Sequence, residues 1–125
     1  MLEVTNVGKT VMDTFKEKLR ERGFKGDIDD SAATRDFFSH DASLFEIRPQ
    51  LVVAPKDTAD VEVLVRLAAA EKKRIPDLSL TGRSAGTDMA GGAINESVIV
   101  DFLKYMNKIC EVSREAATAQ PGGFY

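Results

Sequence analysis

Apolar positions follow one rhythm in the first third of the chain and another beyond it. From Gly8 to Arg22, Val11, Met12, Phe15 and Leu19 recur at helical spacing while Lys and Glu fill the other face, which predicts an amphipathic helix over about 8–22. Gly23 is placed to end it as a C-terminal cap, and Met12, Phe15 and Phe24 are the expected core contacts. Asp27 to Ser43 is acidic and small instead, with Ser31 positioned to cap a short helix through Phe38; Asp27, Asp29 and Asp30 read as caps and solubility. These segments form a helix-loop-helix lead-in over 1–43. From residue 44 onward short β-branched runs take over. Leu51, Val52 and Val53 predict a buried strand that Pro55 stops. Thr58 as N-cap, Asp57 and Asp60 at the positive end of the dipole, the stripe Val61, Leu64, Val65 and Ala68, and Lys72, Lys73 and Arg74 at the far end predict a second helix. Further strands fit Asp77 to Thr81 and Ser97 to Phe102, and Ile109–Ser113 with Ala116–Gln120 predicts a hairpin. The expected class is α+β.

Composition narrows the partners. The chain has 125 residues, 43% of them hydrophobic, enough for one core. A net charge of −3 lacks the basic excess that binding to a phosphate backbone needs, so nucleic acid is not an expected partner. The apolar runs Gln50–Ala54 and Ser97–Phe102 fall far short of the roughly 20 residues that span a bilayer. Met1 to Thr10 shows no basic region followed by an apolar run, so a cytoplasmic location is expected. Cys110 is the single cysteine and His40 the single histidine, which allows no internal disulfide and no zinc site; Cys110 reads as a small buried hydrophobe and His40 as a solvated loop residue.

The chemistry concentrates between the second and third strands of this second part. Thr81 to Ala93 holds Gly82, Gly86, Gly91 and Gly92, four of the nine glycines of the chain. A loop so short of side chains lets ligand approach the backbone, and successive N–H groups can converge on an anion. A diphosphate suits it, with the Ser84 and Thr87 hydroxyls as further donors and Arg83 as the nearby cation. The spacing matches neither Gly-x-Gly-x-x-Gly nor a P-loop, because Gly91 is followed by Gly92-Ala93 instead of Lys-Ser/Thr. Glycine count by itself is equally compatible with a loop that only lets strands and helix pack closely.

A longer set of motifs adds to that reading: Asp41-Ala42-Ser43, Pro49 through Pro55, Asp60-Val61, Arg83 to Thr87 with Gly91-Gly92, Val100-Asp101, Tyr105 to Ile109 and Gln120-Pro121-Gly122. In this order they resemble the flavin-binding domain of the FAD-linked oxidases, the vanillyl-alcohol oxidase and p-cresol methylhydroxylase superfamily, and its D-lactate dehydrogenase and glycolate oxidase branch in particular. The resemblance runs from about Asp27 to the last residue. It implies a small mixed α/β first subdomain of a PCMH-type FAD-binding domain over 44–125, following the helical lead-in. By the same resemblance Ser84, Ala85, Gly86, Thr87, Asp88, Gly91 and Gly92 would hold the FAD diphosphate, with Arg83 beside them. Pro55, Ala93, Pro121 and Gly122 would be outer contacts, some bordering the adenosine half. Several members tether the flavin through a histidine where this chain has Thr87, so non-covalent FAD is implied.

Two positions depart from the family pattern. Ser84 stands where glycine is usual, and a serine at positive φ would be strained. Asp88 brings a carboxylate toward phosphate; at about 4 Å the repulsion is about 1 kcal/mol in water and about 4 kcal/mol at an effective dielectric of 20. Its side chain is therefore expected to turn back onto loop N–H groups or face solvent. The resembling family continues past this point into a second flavin subdomain and a substrate cap, so the chain is expected to be an amino-terminal fragment. Its parent would pass a hydride from the α-carbon of a 2-hydroxy acid such as D-lactate or glycolate to flavin, with catalytic residues beyond Tyr125. Alone, the fragment is expected to be inactive and to bind FAD weakly. The alternative, which Ser84 and Asp88 favour a little, is a non-catalytic module, either a degenerate fragment that binds no cofactor or one whose exposed sheet edge pairs with a partner or with itself.

Overall fold

A computed structural model describes residues 8–124; residues 1–7, part of the segment without a signal pattern, and Tyr125 lie outside the described residues. The first helix, α1 (Val11–Glu21), starts at Thr10, whose hydroxyl accepts from the Asp13 amide while the Asp13 carboxylate accepts from the Thr10 amide. It ends just before Gly23 at φ +90°. Met12, Phe15 and Leu19 are buried as the periodicity predicts, whereas Val11 stays exposed on the first turn.

The acidic segment after α1 holds a strand that its composition hides. β1 (Asp27–Asp29) pairs antiparallel with β2 (Leu51–Ala54), Ile28 lying opposite Val53, so the lead-in is not the helix-loop-helix its residues suggest. Asp29 also caps, accepting from the Ser31 amide at 2.8 Å and the Thr34 hydroxyl at 2.7 Å ahead of α2 (Ala32–Phe37). The next helix, α3 (Thr58–Glu71), is capped by Asp57 rather than Thr58, the Asp57 carboxylate accepting from the Asp60 amide at 2.9 Å. Its buried face is Asp60, Leu64, Leu67 and Glu71; Val65, expected in the apolar stripe, lies off that face and is 51% exposed.

The following strand is β3 (Leu80–Arg83), three residues later than the pattern at Asp77–Thr81 suggests. Pro76 and Asp77 belong to a turn that seats Ile75 and Leu78 in the core. With β4 (Val98–Asp101) the order is β1-β2-β4-β3, the last three strands parallel. Leu51, Val53, Val98 and Val100 meet α1 and α3 in one apolar cluster, while Val52 and Ile99, of the other pleat parity, are buried on the face beneath α2. The hairpin β5 (Ile109–Val112) and β6 (Ala117–Ala119) forms its own two-stranded sheet. Every residue of it is exposed, so Cys110 is an exposed thiol and not the buried hydrophobe expected.

The two long helices are joined by charge as well as by packing. Glu71, nearly buried, accepts from Lys18 Nζ at 2.6 Å and from Arg74 Nε at 2.5 Å. The Lys18 hydrogen bond first, then Arg74, hold the Glu71 carboxyl below its ordinary value of 4.5. A carboxyl with a lower pKa folded than unfolded contributes stability above the unfolded value and loses it as pH falls through the folded one. Glu71→Gln is expected to lower stability by about 1–2 kcal/mol at pH 7. The urea midpoints of variant and wild type converge as pH drops below 4.5.

Candidate functional site

Because β2, β3 and β4 run parallel, their carboxyl ends lie together: Ala54 beside Asp101, and Arg83 beside Asp101 on the other side. In open α/β sheets that end is where ligands settle. The chain leaving β3 there is the glycine-rich loop, and it frames a hollow of about 230 Å³ bordered by Gly82 to Asp88 with Gly92 and Ala93. A second hollow of about 310 Å³ shares Ser84, Ala85 and Thr87 and is completed by Gly123 and Phe124. Those two closing residues carry no motif signal, and only the folded chain brings them to the loop. Gly122 makes this approach: its N–H donates to the Met106 carbonyl at 2.8 Å, and a Cβ there would lie 2.6 Å from the carbonyl carbon of Phe102.

The loop offers donors without acceptors of its own. The N–H groups of Ala85 to Met89, Gly91 and Gly92, and the hydroxyls of Ser84 and Thr87, donate to no acceptor among the described residues. Surface N–H groups of this kind are free to take water or a ligand as partner, and most of these residues border the hollow. Gly86 at φ +71° and Gly91 at φ +83° supply the turns in the loop, and no non-glycine residue has positive φ among the described residues. Ser84 is therefore unstrained. Asp88 turns back, its Oδ1 accepting from the Ala90 amide at 2.7 Å, which places one oxygen on the loop's own backbone.

The remaining expected residues are arranged around this cradle. Pro55 is buried at the end of β2 and borders neither hollow; Pro121 is exposed. Gly91 lies under the Phe45 ring, where a Cβ would be 3.1 Å from Cδ2. Arg83 is buried, and its Nη1 donates to the His40 carbonyl at 2.5 Å and reaches the Ala93 carbonyl at 3.5 Å. Its pKa is lowered by burial, against the pull of Asp41 and Asp101. Burial in turn pushes the Asp101 carboxyl up, against the Leu103 amide that it accepts from at 2.9 Å. His40 is exposed beside Glu46, 3.5 Å away.

A mixed sheet whose parallel strands end at an open loop of unpaired backbone N–H groups has the arrangement of phosphate-binding α/β domains. Comparison with known proteins gives the class its identity. A family model described as FAD binding domain matches residues 49–123, and the chain belongs to that family. It is 42% identical over 101 residues to D-2-hydroxyglutarate dehydrogenase of Escherichia coli (strain K12), covering 81% of this chain and 10% of that protein. To the mitochondrial D-lactate dehydrogenase [cytochrome] of Kluyveromyces lactis it is 33% identical over 95 residues, covering 73% and 15%. The chain thus spans about a tenth of the length of the D-2-hydroxyglutarate dehydrogenases it matches. Among solved structures, an alkyldihydroxyacetonephosphate synthase shares the fold with TM-score 0.73 at 21% identity, covering 98% of this chain and 25% of that one. The 4-ethylphenol oxidase of Gulosibacter chungangensis does so with TM-score 0.72 at 21% identity, covering 92% and 23%.

The family cofactor, FAD, fits what the residues offer. Its diphosphate needs several donors within one concave stretch, which the unpaired amides of Ala85 to Met89, Gly91 and Gly92 offer, and Asp88, at the edge of the hollow, has one carboxylate oxygen engaged by the Ala90 amide. Among the described residues no group of His, Cys, Asp and Glu side chains could hold a metal ion, and no helix is long and apolar enough to cross a membrane.

Proposed function

We propose that this chain is the diphosphate-holding part of a flavin domain in an oxidoreductase that converts a 2-hydroxy acid to the 2-oxo acid. The observation that carries the reading is the set of N–H groups of Ala85 to Met89, Gly91 and Gly92 without acceptors at the carboxyl ends of the parallel strands. The names of the relatives, dehydrogenases of D-2-hydroxyglutarate and D-lactate, support the substrate class. When bound, FAD supplies a two-electron acceptor for such an oxidation. This chain contributes binding and orientation. Backbone amides and the hydroxyls of Ser84 and Thr87 hold the diphosphate, and Thr87, which offers no imidazole, leaves the flavin untethered at that position. The alternative of a module that binds no cofactor drew support from Ser84 and Asp88; an unstrained serine and a carboxylate hydrogen-bonded to Ala90 remove that support.

The test is the colour and reactivity of the full-length protein that carries this chain. Purified, it is expected to show flavin absorbance, to release FAD into the supernatant on acid precipitation, and to bleach anaerobically with D-2-hydroxyglutarate or D-lactate. Colourless protein that ignores added FAD would overturn the cofactor assignment. A yellow protein that neither acid reduces would overturn the substrate class.

A further inference from the structure

We propose that Arg83 is a positioning residue that clamps the cofactor loop onto the turn His40–Phe45, so that this turn, which precedes the family-matched segment, sets the curvature of the cradle. The inference rests on the reading of that loop as the FAD diphosphate site. It departs from the sequence-based expectation for Arg83, which treats the guanidinium as a cation beside the phosphates.

Three contacts converge. First, the Arg83 side chain lies inside the protein, its residue only 7% exposed. Its Nη1 alone ties the His40 carbonyl to the start of the loop and reaches the Ala93 carbonyl at the loop's end. Its Cζ sits over the Phe38 ring, 5.0 Å from the centroid. Second, the same guanidinium fills the space at Gly86, where a Cβ would be 2.6 Å from Cζ; the glycine at φ +71° is moulded over the arginine. Third, the turn touches the loop twice more. Asp41 accepts from the Ser43 amide at 2.8 Å and keeps an enclosed Oδ2 without a partner, with the Ala93 amide and Arg83 nearby. Phe45 covers Gly91, so both positive-φ glycines of the loop are backed by side chains that the turn supplies or anchors.

Electrostatics separates the two roles. Asp41 and Asp101 both lie close enough to Arg83 to offset part of its charge. A cation that paired with the diphosphate would make FAD affinity fall with added salt, and removing it would flatten that dependence. A clamp that works through shape leaves the salt dependence unchanged. Lysine could replace the charge and the donor to the two carbonyls, but not the planar guanidinium that lies over the Phe38 ring and fills the space at Gly86.

The experiment titrates FAD into the apo form of the full-length protein at low and at high salt. It compares wild type, Arg83→Lys, Arg83→Met and Phe45→Ala, and follows thermolysin cleavage before Met89 with no FAD present. Both Arg83 variants are expected to bind FAD at least tenfold more weakly with the wild-type salt ratio, and to be cut before Met89 at least tenfold faster. Phe45, 59% exposed, is dispensable for folding, so Phe45→Ala is expected to keep the wild-type far-UV spectrum and melting temperature while binding FAD about threefold more weakly. Full rescue by Arg83→Lys, a salt dependence that flattens in Arg83→Met, or wild-type FAD affinity and loop cleavage in Phe45→Ala would each overturn the clamp. Wild-type protein that binds no FAD would defeat the cofactor reading instead, and the cleavage rates would still judge the clamp.

Discussion

Gly86→Ala is expected to weaken FAD binding about 100-fold while the sheet and helices stay folded. Gly86 sits at φ +71°, where an L-residue pays roughly 1–2 kcal/mol. A methyl group there would also lie 2.6 Å from Arg83 Cζ, and the guanidinium cannot retreat without losing the His40 carbonyl. Together these amount to about 3 kcal/mol, which is about a factor of 100 in affinity. The cost falls on binding because the loop is at the surface: in the free protein it relaxes to another path, and FAD has to restore the strained one. The check is a titration of apoprotein monitored by flavin fluorescence, with far-UV circular dichroism to confirm the fold. The steric share is separable from the backbone share. In an Arg83→Met background the flexible side chain yields, so the added cost of Gly86→Ala is expected to shrink toward the 1–2 kcal/mol of the left-handed backbone alone. Wild-type affinity in Gly86→Ala would mean that the diphosphate is held elsewhere.

How much of this was legible in the sequence depended on whether a residue's partner was another side-chain pattern or the backbone. Val98, Ile99 and Val100 announce a buried parallel strand because both pleat faces are apolar, and the loop announces itself through Gly86 and Gly91 because glycine adopts those dihedrals without steric cost. β1 was hidden since Asp27 and Asp29 flank the single apolar Ile28, and a strand so short is defined by Val52 to Ala54 across from it. The Arg83 side chain was misleading for a related reason. Its partners are the carbonyls of His40 and Ala93, groups that every sequence possesses, so nothing marks them in advance. Cys110 illustrates the opposite limit: an alternating hairpin looks the same whether or not a second layer covers it, and here none of the described elements does.

The largest expected stability change lies in a residue that the helical pattern explains only as a favourable charge. Asp60→Ala is expected to destabilise the domain by about 3–5 kcal/mol. Asp60 is 1% exposed, and its two carboxylate oxygens accept from the amides of Lys25 and Lys56, each at 2.9 Å. One amide precedes β1 and the other follows β2, so a single side chain on the first turn of α3 fixes where the antiparallel pair begins relative to the helix. Truncation leaves two part-buried donors without their acceptor, at about 1–3 kcal/mol each, and opens a cavity where the enclosed carboxylate stood. Asp60→Asn, which keeps the shape, is expected to recover less than half of the loss, because its NH₂ group would face one of the two N–H donors. Hydrogen exchange at the amides of Lys25 and Lys56 reads the effect locally. In Asp60→Ala both are expected to lose protection, and in Asp60→Asn only the one that faces the amide nitrogen. Undiminished protection in both variants would show that other acceptors hold these segments and that Asp60 is merely enclosed.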